Sequence, residues 1–382
     1  MRLAFYAPLK PPDHPVPSGD RRISRLLIQA LERAGHEVEL ASRLAARDGA
    51  GERQSEIAVQ AAAERERLLA LFAARPPAVR PAAWFTYHLY YKAPDLLGPA
   101  LAGALAIPYL VAEASIAGKR AGGPHDAGHR ATLSAVRAAA RIFVLNPADG
   151  ECLEPFIEPR RLVDLPPFLD LAALAAPVEG RAALRRALAG RHGLEGDRPW
   201  LIAVAMMREG DKLASYQLLG RALQGLLDLP WQLLVAGDGL ARPAVEAALM
   251  PLGPGRVFYL GMLDETEIAR CLGAADLCLW PAINEAYGMA LLEAQAAGLP
   301  VIAGAVGGVP SVLVDGVTGM LAPPGEPGAF AAAARALIEA PAQRATMAAA
   351  ARENVRRHHD IAGAAAILDH ALREACAETA GA

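Results

Sequence analysis

The segment WPAINEAYGMALLEAQAAGLPV, residues 280–301, places two carboxylates, Glu285 and Glu293, eight residues apart around a Tyr287–Gly288 step. Apolar runs at 276–280 and 300–303 read as strands, so the step opens a helix between them. A helix start presents backbone N–H groups that lack an intrahelical partner, which suits an anionic ligand. At 1.5 Å per residue the two acids lie roughly 12 Å apart. That spacing suits a nucleotide-sugar, with sugar hydroxyls at one carboxylate, ribose hydroxyls at the other and phosphates between. An ordinary amphipathic helix with Glu293 in solvent accounts for the helix alone. It does not account for one acid ahead of the glycine and a second within an apolar run.

Cations for the phosphates stand in MMREGDKL, residues 206–213, which follows an apolar run at 200–205 and contains Arg208 and Lys212. A loop leaving a strand lies at the ligand-binding edge of an α/β sheet, where two cations can neutralise a diphosphate without a metal. A solvated loop with either cation paired to Glu209 or Asp211 is the alternative, and the Glu285–Glu293 element outweighs it. Asp-x-Asp occurs nowhere in the chain, which disfavours a metal-bridged diphosphate. GDG at 237–239 lacks the third glycine of a dinucleotide fingerprint, since that position is Arg242, and reads as a tight turn. His125 and His129 have helical spacing but no further ligand, so no metal centre is expected.

His88, in FTYHLYYK at 85–92, suits either a packed core edge or an acceptor pocket. Glu113, Ser115, Lys119 and Arg120 follow a strand at 108–112 and are secondary candidates. Gly19 either lets the backbone approach a phosphate or sugar, or sits in a helix cap made by Ser18 or Asp20. Gly307 and Gly308 either line the Glu285 pocket or simply turn the chain. His358, His359 and Asp360 read as surface residues of a charged helical tail.

These residues need a scaffold. The 382 residues, 53% apolar and 21% charged with a net charge of −3, suit a globular protein and argue against a general nucleic-acid binder. Strands are expected at 3–6, 37–40, 84–87, 108–112 and 141–145, with helices between them near 23–35, 52–74, 95–106 and 127–140. The rhythm restarts with strands at 200–205, 231–236, 256–260, 276–280 and 301–303, a capping box at Asp264 and Glu267, and a helical tail from 328. Alternation of this kind predicts parallel sheets flanked by helices. It divides the chain into an N-terminal domain (1–170), a linker (171–198), a C-terminal domain (199–357) and a last helix (358–382) that can pack back on the first domain. No apolar run reaches the roughly 18–20 residues that cross a bilayer. The start does not read as a signal peptide, and the four cysteines show no C-x-x-C spacing, so a cytoplasmic protein with reduced thiols is expected.

At this point the chain resembles a known family. Residues 284–301, GGVP at 307–310 and DGVTGMLAPP at 315–324 look like the donor-binding half of the family-four retaining glycosyltransferases. The likeness covers about 200–338, while the first half is similar in rhythm only. It implies the GT-B fold: two Rossmann-like, doubly wound parallel-sheet α/β domains facing a cleft, with C-terminal helices. By resemblance Glu285 contacts the donor sugar hydroxyls, Glu293 the ribose, and the backbone at Tyr287, Gly288 and Met289 the sugar or phosphate. Leu292 completes that wall; Gly261, Met262 and Leu263 border the base, and Lys212 matches the diphosphate-binding lysine. The chain departs from the pattern twice. Met207 stands where the family has an arginine, with Arg208 one step later, and Glu113, Ala114 and Ser115 stand where it has a first-domain histidine.

The expected function is metal-independent, retaining transfer of a sugar from a nucleotide-sugar, UDP-sugar favoured, to an acceptor hydroxyl. No cofactor is expected. The acceptor class is open among carbohydrate, lipid-linked and small-molecule compounds. Glu285, Arg208, Lys212 and His88 form the expected catalytic set, and Gly19 joins the donor-binding residues. Peripheral contact with the inner face of a membrane would use Arg21, Arg22, Lys119 and Arg120. An epimerase of the same architecture, which needs no acceptor, and a non-catalytic nucleotide-sugar-binding module are the alternatives. A dinucleotide oxidoreductase is weakened by the broken glycine motif.

Overall fold

Two strand–helix series, parted at Pro166, form two six-stranded sheets in a computed structural model that describes residues 1–16, 18–174 and 180–381. The first unit comprises Met1–Pro166 and Ile361–Ala382. In chain order it begins with β1 (Arg2–Tyr6), α1 (Gly19–Arg33), β2 (Glu37–Ser42), α2 (Gln54–Ala73) and β3 (Ala83–Leu89). It continues with α3 (Gly98–Leu105), β4 (Tyr109–Ala114), α4 (Asp126–Ala138), β5 (Arg141–Val144), α5 (Pro147–Leu153) and β6 (Leu162–Asp164). Its strands pair in the parallel order β2-β1-β3-β4-β5-β6.

The second unit, Pro167–Asp360, runs through α6 (Arg181–His192), β7 (Trp200–Val204), α7 (Asp211–Gln224), β8 (Gln232–Ala236) and α8 (Arg242–Leu249). Then come β9 (Val257–Gly261), α9 (Glu265–Ala274), β10 (Leu277–Trp280), α10 (Met289–Ala296) and β11 (Val301–Gly304). It ends with α11 (Val309–Val312), β12 (Gly319–Ala322), α12 (Pro327–Glu339) and α13 (Pro341–His358). The sheet order is β12-β11-β10-β7-β8-β9, again parallel. The last helix, α14 (Ile361–Ala380), belongs to the first unit. It packs on α1, its Asp369 meets His36 at 2.9 Å, and Glu378 takes a two-pronged bond from Arg141 of β5 at 2.7 and 2.9 Å.

Local rules explain much of this. In α1 the buried Ile23, Leu26, Leu27, Ala30 and Leu31 recur at helical spacing, and Ser18 caps the helix by accepting from the Arg21 N–H at 3.2 Å. Asp264 caps α9 in the same way, accepting from the Glu267 N–H at 2.8 Å. The stretch 171–198, expected as a linker, is corrected: where described it belongs to the second unit and carries α6. Residues 175–179 lie outside the described residues. Leu184 and Leu188, one turn apart, are buried, while Arg181 and Arg185 bond Asp276 at 2.8 and 2.9 Å. His359 is corrected too. It is buried, its Nδ1 lies 2.7 Å from the Pro167 carbonyl, and its own carbonyl accepts from the Leu169 N–H. Two of the free cysteines, Cys271 and Cys278, are buried. Leu27→Ala, which empties a fully covered α1 position, should cost about 2–5 kcal/mol and lower the urea midpoint of unfolding.

Candidate active site

In the second unit the chain builds β7, β8 and β9 outward, then returns to place β10 on the other side of β7. Strand order reverses at that join, and the loops leaving β7 and β10 diverge there, which opens a crevice at the carboxyl ends of the strands. Lys212, in the first turn of α7, and Glu285, in the loop after β10, meet at this place. Lys212 Nζ lies 2.5 Å from Glu285 Oε2, with both side chains partly covered. Two further bonds tie the same loops: Asn284 Nδ2 donates to Asp211 Oδ2 at 2.9 Å, and the Ile283 N–H donates to Ser215 Oγ at 3.0 Å. Trp280, at the end of β10, donates its indole N–H to Glu285 Oε2 at 3.2 Å and lies 5.4 Å from the Lys212 ammonium.

Glycines let the backbones close around this pair. A Cβ on Gly307 would fall 2.1 Å from the Glu285 carbonyl oxygen, and one on Gly308 2.2 Å from that of Ala286. The Gly308 N–H instead donates to Ala286 O at 3.0 Å, so these glycines pack against the Glu285 segment. Gly237 and Gly239 do the same beside the β7 loop, where added Cβ atoms would reach the carbonyl oxygens of Ala205 and Met207. The GDG motif is a clamp on that loop, fastened by Met207 N–H to Asp238 O and Ala241 N–H to Met207 O.

Gly288, at a φ of 69°, turns the chain into α10, and its carbonyl accepts from Leu291 and Leu292 at 2.8 and 3.0 Å. The N–H groups of Gly288, Met289 and Ala290 therefore precede the first intrahelical bonds. Glu293 is buried on α10 rather than solvated, and burial together with its charge pushes the Cys278 thiol up to about 12. Leu292 is a fully covered core residue, and Tyr287 is buried. Met207 is buried as well, whereas Arg208 is exposed. Gly261, at a φ of 73°, accepts from the Gly237 N–H at 2.8 Å, and Met262 is exposed. Leu263 lines a cavity of about 360 Å³ with Leu188, Arg191, Asp264, Glu267 and Cys271.

The structure thus joins Lys212 to Glu285 and sets the α10 residues behind them, with His88 and Gly19 in the first unit. Trp280, Asn284 and Ser215 were not among the residues expected at the site, and Asp211 was expected only as a partner for Arg208 or Lys212. An indole that ends an apolar strand five residues before an acid is the one signal that pointed to any of them.

In the first unit His88 stands at the corresponding reversal, β3 beside β1. His88 and Glu113 have positive φ, 58° and 62°, uncommon for side-chain-bearing residues and typical of constrained sites. The turned side chains meet: His88 Nδ1 lies 2.9 Å from Asp20 Oδ1 and 3.4 Å from Glu113 Oε1. Burial favours the neutral imidazole, but Glu113, Asp20 and Asp149 together outweigh it and raise the His88 pKa to about 9. Burial and Glu113 push Asp149 up to about 6. Ser18 caps α1, and a Cβ on Gly19 would meet nothing within 4 Å, so the cap alone accounts for that turn. His125 lies edge-on to Tyr91 at 5.1 Å, and no metal-holding group of three His, Cys, Asp or Glu occurs among the described residues. A raised folded pKa makes the His88 contribution to stability full below about pH 6.5 and lost as pH climbs through about 9. His88→Gln should flatten that alkaline loss in chemical denaturation, and the wild-type imidazole should titrate near 9 by NMR.

Comparison with known proteins adds the following. Residues 198–340 match the family model described as Glycosyl transferases group 1. D-inositol 3-phosphate glycosyltransferase of Xylanimonas cellulosilytica is 34% identical over 214 residues, 55% of this chain and 50% of that one. The Mycobacterium marinum protein of the same name is 40% identical over 123 residues, 32% of this chain and 26% of that one. The chain spans about half the length, or less, of these curated relatives. Among solved structures, sucrose-phosphate synthase from Thermosynechococcus elongatus superposes with a TM-score of 0.75 at 21% identity, covering 99% of this chain and 100% of that one. Anabaena HepE, solved in complex with UDP, gives 0.74 at 17% identity over 98% and 100%. At such identities the solved structures speak for the fold alone, and the matched segment carries the family likeness. Residues 198–340 are thus similar to the Glycosyl transferases group 1 domain, on a two-sheet α/β fold shared with GT-B glycosyltransferases.

Proposed function

We propose that this protein transfers a sugar from a nucleotide-sugar to an acceptor hydroxyl, with retention at the anomeric carbon and without a metal ion. The observation that carries the reading is the Lys212–Glu285 contact at the strand-order reversal, with the α10 N-terminus beside it. In this reading Glu285 takes the donor sugar hydroxyls and the buried Glu293 the ribose. The N–H groups of Gly288 and Met289 face sugar or phosphate, Lys212 and the exposed Arg208 hold the diphosphate, and residues 261–263 border the base. UDP is the favoured nucleotide, and HepE solved in complex with UDP lends support.

Chemically, the bond from the anomeric carbon to the diphosphate oxygen breaks as the acceptor oxygen bonds the same face. The acceptor proton passes to the departing phosphate oxygen, so no separate protein base is required. Lys212, Arg208 and the helix start stabilise the charge that grows on the leaving group, which is where binding most directly lowers the barrier. The acceptor, whether carbohydrate, lipid-linked or small molecule, is assigned to the first unit with His88. No helix among the described residues is long and apolar enough to cross a membrane, and the basic residues Arg21, Arg22, Lys119 and Arg120 are the surface for any peripheral contact.

A thermal-shift screen against UDP-, GDP- and ADP-sugars should give a higher midpoint with one nucleotide class. With that donor, Glu285→Ala should lower transfer on the order of 100-fold or more. Lys212→Ala should weaken nucleoside diphosphate binding about tenfold to a hundredfold by calorimetry, as expected for loss of a charged hydrogen bond. A chelator should leave the rate unchanged. Transfer that persists in purified Glu285→Ala, or stops with chelator, overturns the corresponding part of the reading.

A further inference from the structure

Glu285 Oε2 receives two donors of opposite character. Lys212 reaches it from a flexible stem on a partly exposed side chain, and its charge is free to follow a stronger anion. The Trp280 indole is almost wholly covered, with its ring held edge-on by Tyr216 at 5.1 Å. Tyr216 is itself anchored by its O–H donating to Ala205 O at 2.8 Å. The indole N–H is neutral, points at one oxygen and has no other place to go. A diphosphate carries more negative charge than one carboxylate, so its arrival draws Lys212 from Glu285. The carboxylate then keeps only the fixed donor.

We propose that Trp280 is a positioning residue: its indole N–H holds Glu285 Oε2 in place when Lys212 leaves that oxygen for the donor diphosphate. This rests on the donor-site reading above. The Lys212–Glu285 contact is then the resting state of the site, opened by the donor, and Trp280 keeps its opening from releasing Glu285. The neighbouring Asn284 and Ala282 have positive φ, 52° and 59°, so the loop that carries Glu285 is held in a constrained shape and gains from a fixed anchor.

The test compares Trp280→Phe, Glu285→Ala and the double variant with wild type in single-turnover transfer, with UDP and GDP titrated separately by calorimetry. Phenylalanine keeps a ring against Tyr216 and Lys212 but lacks the N–H. The expected result is a roughly tenfold slower transfer step in Trp280→Phe with nucleotide Kd within about twofold of wild type, and no further loss in the double variant. Equal rates in Trp280→Phe and wild type, or the same fold loss in both backgrounds, overturn the inference. If Glu285→Ala transfers as fast as wild type, the donor-site reading itself falls. A second measurement does not depend on the variant folding. Trp84, Trp200 and Trp231 are fully buried, so saturating wild type with the bound nucleotide should change emission mainly through Trp280 as the ammonium departs. The change should be absent in Lys212→Met, and a wild-type emission that stays constant at saturation shows that the pair does not open and overturns the inference.

Discussion

Lys212 and Glu285, 73 residues apart in sequence, are held at 2.5 Å where the strand order of the second sheet reverses. An ion pair between partly covered groups forms only if both loops are already placed, because the attraction alone does not repay the ordering of two long side chains. The placement comes from backbone packing. Gly237 and Gly239 bring the β8 loop onto the β7 loop, and Gly307 and Gly308 bring the β11 loop onto the Glu285 segment. With side chains at these positions the four loops would stand apart by about the width of a methyl group, and the pair with them.

The two units share this architecture and differ in what they put at the reversal. The second sheet sets a lysine against a glutamate beside a helix start. The first sets one imidazole among Asp20, Glu113 and Asp149, whose combined field keeps it protonated near neutral pH. In both, residues with positive φ flank or carry the charged groups: Ala282 and Asn284 in one, His88 and Glu113 in the other. Strain of this kind persists only where surrounding packing over-determines the backbone, and a parallel sheet covered by helices supplies such packing at its strand ends.

Most elements were legible because each is announced locally. The α1 stripe, the Ser18 and Asp264 caps, and the apolar runs of β1, β4, β7, β8 and β10 follow from periodicity and capping alone. The short β6 and β12 carried no comparable signal. They are three- and four-residue edge strands, defined by pairing with β5 and β11 rather than by their own pattern. The helix α6 was hidden by a polar, arginine-rich surface that left only Leu184 and Leu188 to mark its buried side.

At the site the division is similar. That Glu285, Gly288 and Glu293 belong to one strand–turn–helix unit follows from their spacing, since a helix rise and a positive-φ glycine are properties of a few consecutive residues. The motif series from 284 to 324 likewise pointed to the family without any coordinates. Which cation Glu285 meets was settled only by folding. Lys212 and Arg208 were both candidates for the diphosphate, with Lys212 alone matching the resemblance, and the close approach of β7 and β10 gives the carboxylate to Lys212 and leaves Arg208 exposed. The burial of Glu293 and the indole bond from Trp280 are of the same kind. Contacts across a parallel sheet depend on which strands become neighbours, and a crossover connection records nothing of that choice in the residues it joins.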